Sequence, residues 1–135
     1  VIDYNKDNVV EAVKDYTKGN MVNVVYDPFG KGSVDIAIDS LSILGLFVSY
    51  DAITDAIDNL HTKKIYEKCN FVTFPNLFTY KAGRQELLLS ANEVFALFQQ
   101  KVILPNITEY KLDDIQKAHE DYEAGRIKGQ AVITL

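Results

Sequence analysis

The chain has 135 residues, the length of one ordinary domain, so we expect a single unit. Its formal net charge of −5 argues against electrostatic capture of nucleic acid, which needs a clustered basic surface. No apolar run approaches the roughly 20 residues that a membrane helix needs. Because a single cysteine, Cys69, excludes an internal disulfide and no secretory signal pattern begins the chain, the sequence predicts a cytoplasmic protein without nucleic-acid or membrane partners.

The first half alternates β-branched runs with helical periodicity, which is typical of parallel βαβ units. Strands are predicted at residues 1–4, 22–26, 46–50 and 70–74. Helices are predicted at residues 8–16, 33–44 and 51–64, where apolar residues recur at helical spacing. Gly19 and Gly45 are placed to end the first two helices, and Pro75 closes the fourth strand.

The second half is dominated by a leucine-rich helix, predicted at residues 84–100. A strand interrupted by Pro105 follows at 102–110, then a helix at 113–124 that ends at Gly125, and a terminal strand at 131–135. We find no internal repeat, low-complexity stretch or linker.

The segment that follows the second predicted strand is the first candidate for ligand binding. Gly30-Lys31-Gly32 has the GxG spacing of a dinucleotide-binding loop, but Val34 and Asp35 stand where a third glycine is expected, so a turn that leads into a helix is the more economical interpretation. Asp27, at the strand end, is equally compatible with accepting a hydrogen bond from a ribose hydroxyl and with capping the turn.

The residue types of common catalytic and metal sites are sparse. His61 and His119 are the only histidines, and their spacing from each other and from Cys69 matches no zinc or iron site. Cys69 lacks a companion motif and is interpreted as structural. His119 lies one position away from the apolar face of its helix, which indicates a packed or boundary residue. The sequence therefore predicts no metal site and no catalytic side chain.

Whole segments carry more information than any one of these motifs. The most specific are Val25-Tyr26-Asp27 with Gly30, the helix start Arg84-Gln85-Glu86-Leu87, and Tyr110-Lys111-Leu112 followed by Ala118-His119-Glu120. In this order they resemble the C-terminal part of a medium-chain dehydrogenase/reductase of the zinc-type alcohol dehydrogenase-like group, and among these the NADPH-dependent quinone oxidoreductases. The resemblance covers essentially the whole chain.

The resemblance implies an α/β fold. Residues 1–80 are expected to form the distal half of a Rossmann-type parallel sheet with helices on both faces, and residues 81–135 the helix and strand segment that follows it in the family. The family's glycine-rich phosphate loop and its N-terminal catalytic domain lie upstream of the matching segments. We therefore expect this chain to lack the strongest anchor for a dinucleotide and to bind NADPH weakly or not at all by itself.

The resemblance also assigns cofactor-binding positions. Tyr4 is placed at the adenosine end, Phe29 beside the cofactor after Asp27, and two further groups along the nicotinamide: Tyr50, Asp51 and Ala52, and the turn of Phe74, Pro75, Asn76 and Leu77. This sequence departs from the family pattern at Pro28, at Tyr50-Asp51 and at Phe74, where a small residue, phenylalanine-glycine and arginine are usual.

By the same resemblance, the ancestral function is NADPH-dependent hydride transfer to a quinone or enone, and we expect the isolated chain to be inactive. Two alternatives remain open: a non-catalytic dimerisation or assembly module, and one half of a split oxidoreductase that meets an N-terminal half in trans. A homodimer is expected through the edge strand that begins at Asn70 and ends at Phe74, because its apolar side chains would favour edge pairing.

Overall fold

Three parallel strands organise the first of two units. In the computed structural model, which describes residues 1–135, these units are Val1–Ala82 and Gly83–Leu135. The strands are β1 (Val22–Asp27), β2 (Leu41–Ser49) and β3 (Phe71–Thr73), in the order β1-β2-β3. Tyr26 pairs with Val48, and Val48 with Thr73, all in parallel register. The predicted parallel arrangement of the strands at 22–26, 46–50 and 70–74 is thus confirmed.

Helices connect these strands in the manner of βαβ units. The connecting helices are α2 (Val34–Asp39), between β1 and β2, and α3 (Thr62–Lys68), between β2 and β3, while α1 (Val9–Tyr16) precedes β1 and the single turn α4 (Leu77–Tyr80) follows β3. The N-terminus of α1 is capped by Asn8, whose side-chain oxygen accepts from the backbone N–H of Glu11 at 3.2 Å. Helix α2 packs against β1 and β2, α3 packs against β2, and α1 lies against α2.

The core of this unit lies between α2 and the centre of the sheet. Ile38, Leu41 and Phe47 are fully buried, with Val34 and Ala37 beside them. The spacing of Val34, Ala37 and Ile38 puts all three on one face of α2. The predicted apolar stripe of the second helix is therefore the face that packs on the sheet.

The second unit is a βαβ arrangement preceded by a long helix. Helix α5 (Arg84–Gln99) is followed by β4 (Ile107–Lys111), a 3₁₀ turn (Leu112–Asp114), α6 (Ile115–Glu123) and β5 (Gln130–Thr134). The strands β4 and β5 are parallel, and α6 packs on both. Although α5 forms where predicted, none of its residues is buried. None of the helices has both the length and the apolar character needed to cross a lipid bilayer.

The predicted strand at residues 1–4 is wrong. The carbonyl oxygen of Asp3 accepts from the N–H groups of Lys6 (2.9 Å) and Asp7 (2.8 Å), which closes a turn immediately before α1. The three strands of the sheet pair only with one another, so this segment has no strand to add to. Local hydrogen bonds satisfy its backbone instead.

Two predicted helices are also wrong in extent. The helix predicted at 33–44 ends at Asp39, and β2 begins at Leu41. The apolar pattern continues across this boundary because a continuous apolar run suits a buried strand as well as a helix. Leu44 has φ +60°, which a right-handed helix does not accommodate. The helix predicted at 51–64 begins only at Thr62. In the segment before it, the N–H groups of Ile53 and Thr54 donate to the carbonyl oxygens of Pro28 and Phe29 in the loop after β1.

Candidate functional site

The predicted cofactor residues of the first unit cluster at one edge of the sheet. Because β1, β2 and β3 are parallel, their carboxyl ends face the same edge, where ligands of open α/β sheets bind. Asp27 is the last residue of β1 and Phe29 follows it, residues 50–52 follow β2, and residues 74–77 follow β3. The first two groups are joined directly, since the N–H of Tyr50 donates to the carbonyl oxygen of Asp27 at 3.1 Å.

The Asp27 carboxylate caps the turn that follows β1. Its side chain is buried, at 4% relative exposure. Oδ2 accepts from the N–H of Gly30 at 3.0 Å, and Oδ1 accepts from the Ser33 hydroxyl at 2.5 Å and from the N–H of Phe29 at 3.4 Å. A carboxylate that accepts several local donors in this way fixes a turn. Of the two interpretations open from sequence, turn capping is the one that these contacts support.

An open, mainly apolar cleft of about 520 Å³ lies beside this turn. The rings of Tyr4 and Phe29 meet edge to face in its lining, with centroids 5.8 Å apart and planes inclined by 61°. The rest of the lining comes from α1, β1, α2, the residues that flank α2, and Thr54, and consists of Val9, Val13, Val22, Val25, Asp27, Gly32, Ser33, Ile36, Ala37, Ser40 and Thr54. An aromatic pair with hydroxyl groups beside it is suited to a flat, partly polar ring system.

Residues 52–58, here called the strap, follow β2 in the chain and hydrogen-bond to the loop after β1. The N–H of Ile53 donates to the carbonyl oxygen of Pro28 at 3.0 Å, and the N–H of Lys31 donates to the carbonyl oxygen of Asp55 at 3.0 Å. Gly30 lies between these contacts with φ +83°, and a Cβ at this position would stand 2.4 Å from the Asp55 carbonyl oxygen. The close approach of the strap therefore requires glycine here.

An ion pair links the other end of the strap to the same loop. Lys31 Nζ lies 2.9 Å from Asp58 Oδ2. This hydrogen bond raises the pKa of Lys31 and lowers the pKa of Asp58, since each charge stabilises the other. Both side chains are more than half exposed, so the pair orients the strap and adds little to stability.

The remaining predicted cofactor residues do not line the cleft. Tyr50, Asp51 and Ala52 are exposed, although Ala52 closely approaches Gly30. In the turn after β3, Phe74 and Leu77 are exposed and Pro75 is half-buried. The side chain of Asn76 caps α4 by accepting from the N–H groups of Phe78 and Thr79. The structure therefore brings Tyr4, Asp27 and Phe29 together around one cleft and leaves the other two groups outside it.

The predicted cofactor-binding residues did not include Ser33 and Thr54, whose hydroxyl groups line the cleft and bond to the turn after β1. Ser33 was interpreted only as the start of a helix, yet its hydroxyl bonds to Asp27. Thr54 fell within the wrongly predicted helix at 51–64.

A smaller cleft of about 240 Å³ in the second unit contains His119. It lies between α6 and β5 and is lined also by Ile115, Ala118, Tyr122, Ala131 and Ile133. Nearby, Asp121 Oδ1 accepts from Arg126 Nε at 2.7 Å and Oδ2 accepts from the Tyr110 hydroxyl at 2.8 Å. These bonds lower the pKa of Asp121, chiefly through Arg126, and raise the pKa of Tyr110.

Comparison with known proteins identifies the family. Residues 1–133 match the family model described as zinc-binding dehydrogenase. The chain belongs to this family. It is 34% identical over 98% of its length to quinone oxidoreductase 1 of Escherichia coli K12, and 33% identical over the same share to the quinone oxidoreductase of Salmonella typhimurium LT2. The chain spans 42% of the length of each of these relatives.

Solved structures give the same relationship. The crystal structure of E. coli quinone oxidoreductase complexed with NADPH matches the whole chain with a TM-score of 0.92 and 32% identity, over 43% of that protein. A quinone oxidoreductase of Pseudomonas syringae pv. tomato DC3000 matches with a TM-score of 0.89 and 28% identity, over 42% of that protein. The Rossmann-type α/β fold and the resemblance stated from the sequence are confirmed.

The family description names zinc, but the side chains of this chain do not fit a zinc site. No group of three or more His, Cys, Asp or Glu side chains comes together in a way that could hold a metal ion. The one histidine near carboxylates, His61, has its Nε2 3.5 Å from Asp35 Oδ1, while Lys64 contacts the same carboxylate at 3.7 Å. The Asp35 carboxylate of α2 therefore pairs with the Lys64 ammonium of α3, an arrangement that does not form a set of metal ligands.

Proposed function

We propose that this chain supplies part of the NADPH-binding surface of a quinone oxidoreductase, which transfers a hydride from NADPH to a quinone or enone. The observation that carries the proposal is the cleft at the carboxyl end of β1, with Tyr4 and Phe29 in its lining, in a chain whose relatives are quinone oxidoreductases over 98% of its length. A cytoplasmic location is part of the same proposal.

The residues of the cleft fit the flat, partly polar end of such a cofactor. The aromatic edges of Tyr4 and Phe29 provide apolar contact, and the hydroxyl oxygens of Ser33 and Thr54, which donate their hydrogens to Asp27 and Phe29, still offer an acceptor lone pair at the same wall. When bound, NADPH supplies the hydride, and the protein contributes binding and orientation. The exposed Tyr50, Asp51 and Ala52 and the Phe74, Pro75 and Leu77 turn are proposed to contact the nicotinamide side.

Binding by the chain alone is proposed to be weak. In Rossmann folds a glycine-rich turn at a helix N-terminus holds the pyrophosphate, whereas here Gly30 serves the close approach of the strap and α2 has only six residues. The charge of Lys31 is engaged by Asp58, and Asp51 adds an exposed negative charge. We expect a dissociation constant near 1 mM, which corresponds to about −4 kcal/mol.

Titration of the purified chain with NADPH, followed by calorimetry and by amide NMR spectra, tests this proposal. The expected result is saturation with a millimolar dissociation constant, with shifts at Phe29, Gly32 and Thr54, and no turnover of a quinone such as menadione. A low-micromolar constant would overturn weak binding. The absence of any shift around the cleft up to about 10 mM NADPH would overturn the cofactor site itself.

A second candidate function is a dimerisation or assembly module. It is favoured by the edge position of β3, where Phe71 in the strand and Phe74 directly after it are 60% and 55% exposed. Apolar side chains on an open strand edge favour pairing with another strand. The proposed homodimer would join two copies along the strand from Asn70 to Phe74.

Light scattering of the chain at high micromolar concentration tests the dimer. The Phe71→Lys variant places a charge on the edge and is expected to be monomeric, while Tyr66→Lys, at an 82% exposed position on α3, keeps the dimer. A wild-type chain with a monomer mass contradicts this function.

A third candidate is one half of a split oxidoreductase. Its support is the similarity to quinone oxidoreductases over 98% of this chain, which suggests the activity that such a half would help to form. In this case a separate polypeptide that matches the remaining part of those relatives, added in trans, would produce NADPH-dependent quinone turnover that neither chain shows alone. Mixtures that stay inactive and do not associate would contradict it.

A further inference from the structure

Thr54 connects the strap to the loop after β1 through its side chain as well as its backbone. Its hydroxyl donates to the carbonyl oxygen of Phe29 at 2.7 Å and accepts from the N–H of Gly32 at 3.0 Å. Its own N–H donates to the same Phe29 carbonyl oxygen at 3.0 Å. One residue therefore makes three hydrogen bonds to a loop that lies 22 to 25 positions earlier in the chain.

The two bonds of the hydroxyl fix the part of the loop that carries the aromatic wall. They reach the residues on either side of Gly30 and Lys31, so the loop is held at both ends of its tightest turn. Asp27 holds the same turn from inside, through Gly30 and Ser33. With the loop fixed from both sides, the Phe29 ring is kept edge to face with Tyr4 in the lining of the cleft.

We propose that Thr54 is a positioning residue of the cofactor site: its hydroxyl sets the orientation of Phe29, and through it the aromatic wall that receives a ring of NADPH. The inference rests on the proposed NADPH-binding function. It gives a role to Thr54, a residue of the strap. Because the strap follows β2, the hydrogen bonds of Thr54 join the loop after β2 to the loop after the neighbouring strand β1.

The chemistry of the hydroxyl allows a sharp comparison of variants. Valine has the shape of threonine but neither donates nor accepts, so Thr54→Val loses both side-chain bonds while the backbone contacts of the strap remain. Thr54→Ser keeps the hydroxyl and loses only a methyl group. Thr54→Ala serves in place of valine if the Thr54→Val chain does not fold. Thr108→Val, in β4 of the other unit, is the matched control.

Amide and aromatic NMR spectra of the 135-residue chain, with and without NADPH, provide the test. In the absence of NADPH, Thr54→Val is expected to lose the nuclear Overhauser contacts between the Tyr4 and Phe29 rings, and Thr54→Ser to keep them. On titration, the dissociation constant of Thr54→Val should rise about fivefold, the factor expected when one side chain that was held in place must be ordered on binding. Thr54→Ser and Thr108→Val should bind as wild type.

The outcomes separate the two proposals. If wild type binds NADPH at the cleft and Thr54→Val binds equally well with its ring contacts intact, the positioning role is wrong and the proposed function stands. If wild type gives no shifts at the cleft, the proposed function fails, and the role of Thr54 toward the cofactor fails with it. A loss of binding that Thr54→Ser shares with Thr54→Val also overturns the role of the hydroxyl.

Discussion

Lys68 Nζ lies 2.8 Å from the carbonyl oxygen of Leu41, the first residue of β2. The same ammonium group donates to the carbonyl oxygens of Asp39 at 3.0 Å and Ile38 at 3.4 Å. These carbonyls belong to the last turn of α2 and the start of the next strand, where the helix leaves acceptors without intrahelical partners. A cation from α3 thus caps the C-terminus of α2 and joins three elements.

Replacing Lys68 by methionine should destabilise the first unit by about 1–2 kcal/mol, because charge-assisted bonds to partly buried carbonyls are lost while the apolar stem is kept. Urea unfolding followed by amide signals of β2 measures the change. Lys63→Met is the matched control on the same helix: Lys63 is 88% exposed and pairs only with Glu67, so the variant should differ from wild type by less than about 0.5 kcal/mol. Equal effects of the two variants would contradict the capping role.

A comparison of Gly30 with Gly19 separates two effects of an alanine substitution on stability: the clash with the strap and the cost of a positive φ. Both glycines have φ near +84°, at +83° and +85°, but a Cβ on Gly30 would meet the Asp55 carbonyl oxygen, whereas a Cβ on Gly19 would meet nothing within 4 Å. Gly19→Ala should cost about 1 kcal/mol from conformation alone, and Gly30→Ala about 2–4 kcal/mol, since the strap must move as well. Thermal or urea unfolding gives both values. Comparable losses would show that the close approach does not constrain the loop.

Periodicity was sufficient to predict the sheet and most of the helices. The β-branched runs at Val22–Asp27 and Phe71–Thr73 have only one good interpretation, and the helix at Arg84–Gln99 combines strong formers with helical spacing. The boundary between α2 and β2 was not predictable, because Leu41 continues the apolar stripe of the helix and is fully buried as a strand residue. Tertiary context decided between two patterns that the residues satisfy equally.

The candidate site could be predicted only in part, for a related reason. The position at a strand end pointed to Asp27, and the resemblance to the family supplied Tyr4 and Phe29. The sequence could not indicate Thr54, whose role depends on hydrogen bonds to the loop at 29–32, because contacts over more than 20 positions leave no local pattern. The extended form of the strap is likewise imposed by its partners Pro28 and Phe29, which accept its N–H groups.

Acidification should weaken the second unit through Asp121. Its pKa is lowered in the folded chain, first by Arg126 and then by Tyr110, so it stabilises the fold above its unfolded pKa of about 3.9 and this contribution is lost as pH falls through the folded value. The stability difference between wild type and Asp121→Asn should therefore be largest near neutral pH and shrink on acidification below about pH 4. Urea midpoints from amide signals of α6 measure it.

A non-titrating variant in the same unit provides the control for that pH dependence. Thr134→Val removes the hydroxyl that donates to the Tyr110 carbonyl oxygen at 3.2 Å, so its difference from wild type should not change with pH. If Asp121→Asn also differs from wild type by a constant amount, the pairs with Arg126 and Tyr110 do not contribute to the pH dependence of folding.

Asp27→Asn is expected to be the most informative change at the candidate site. The carboxylate is buried, and its two oxygens accept from the Gly30 N–H and the Ser33 hydroxyl. Asparagine has only one side-chain oxygen, so one of these two donors would face the NH₂ group, which is itself a donor. Leaving buried donors without a partner should cost about 2–3 kcal/mol.

Amide hydrogen exchange distinguishes loss of the turn from loss of a ligand contact. If Asp27 caps the turn, Asp27→Asn should speed exchange of the Gly30 N–H and lower the free energy of unfolding of the first unit without any ligand present, because the contacts that it breaks are internal. Ser33→Ala should give a smaller effect of the same sign, and Asp51→Asn, at an exposed position, none. Unchanged stability and exchange in Asp27→Asn, together with weakened NADPH binding, would instead assign the carboxylate to the cofactor.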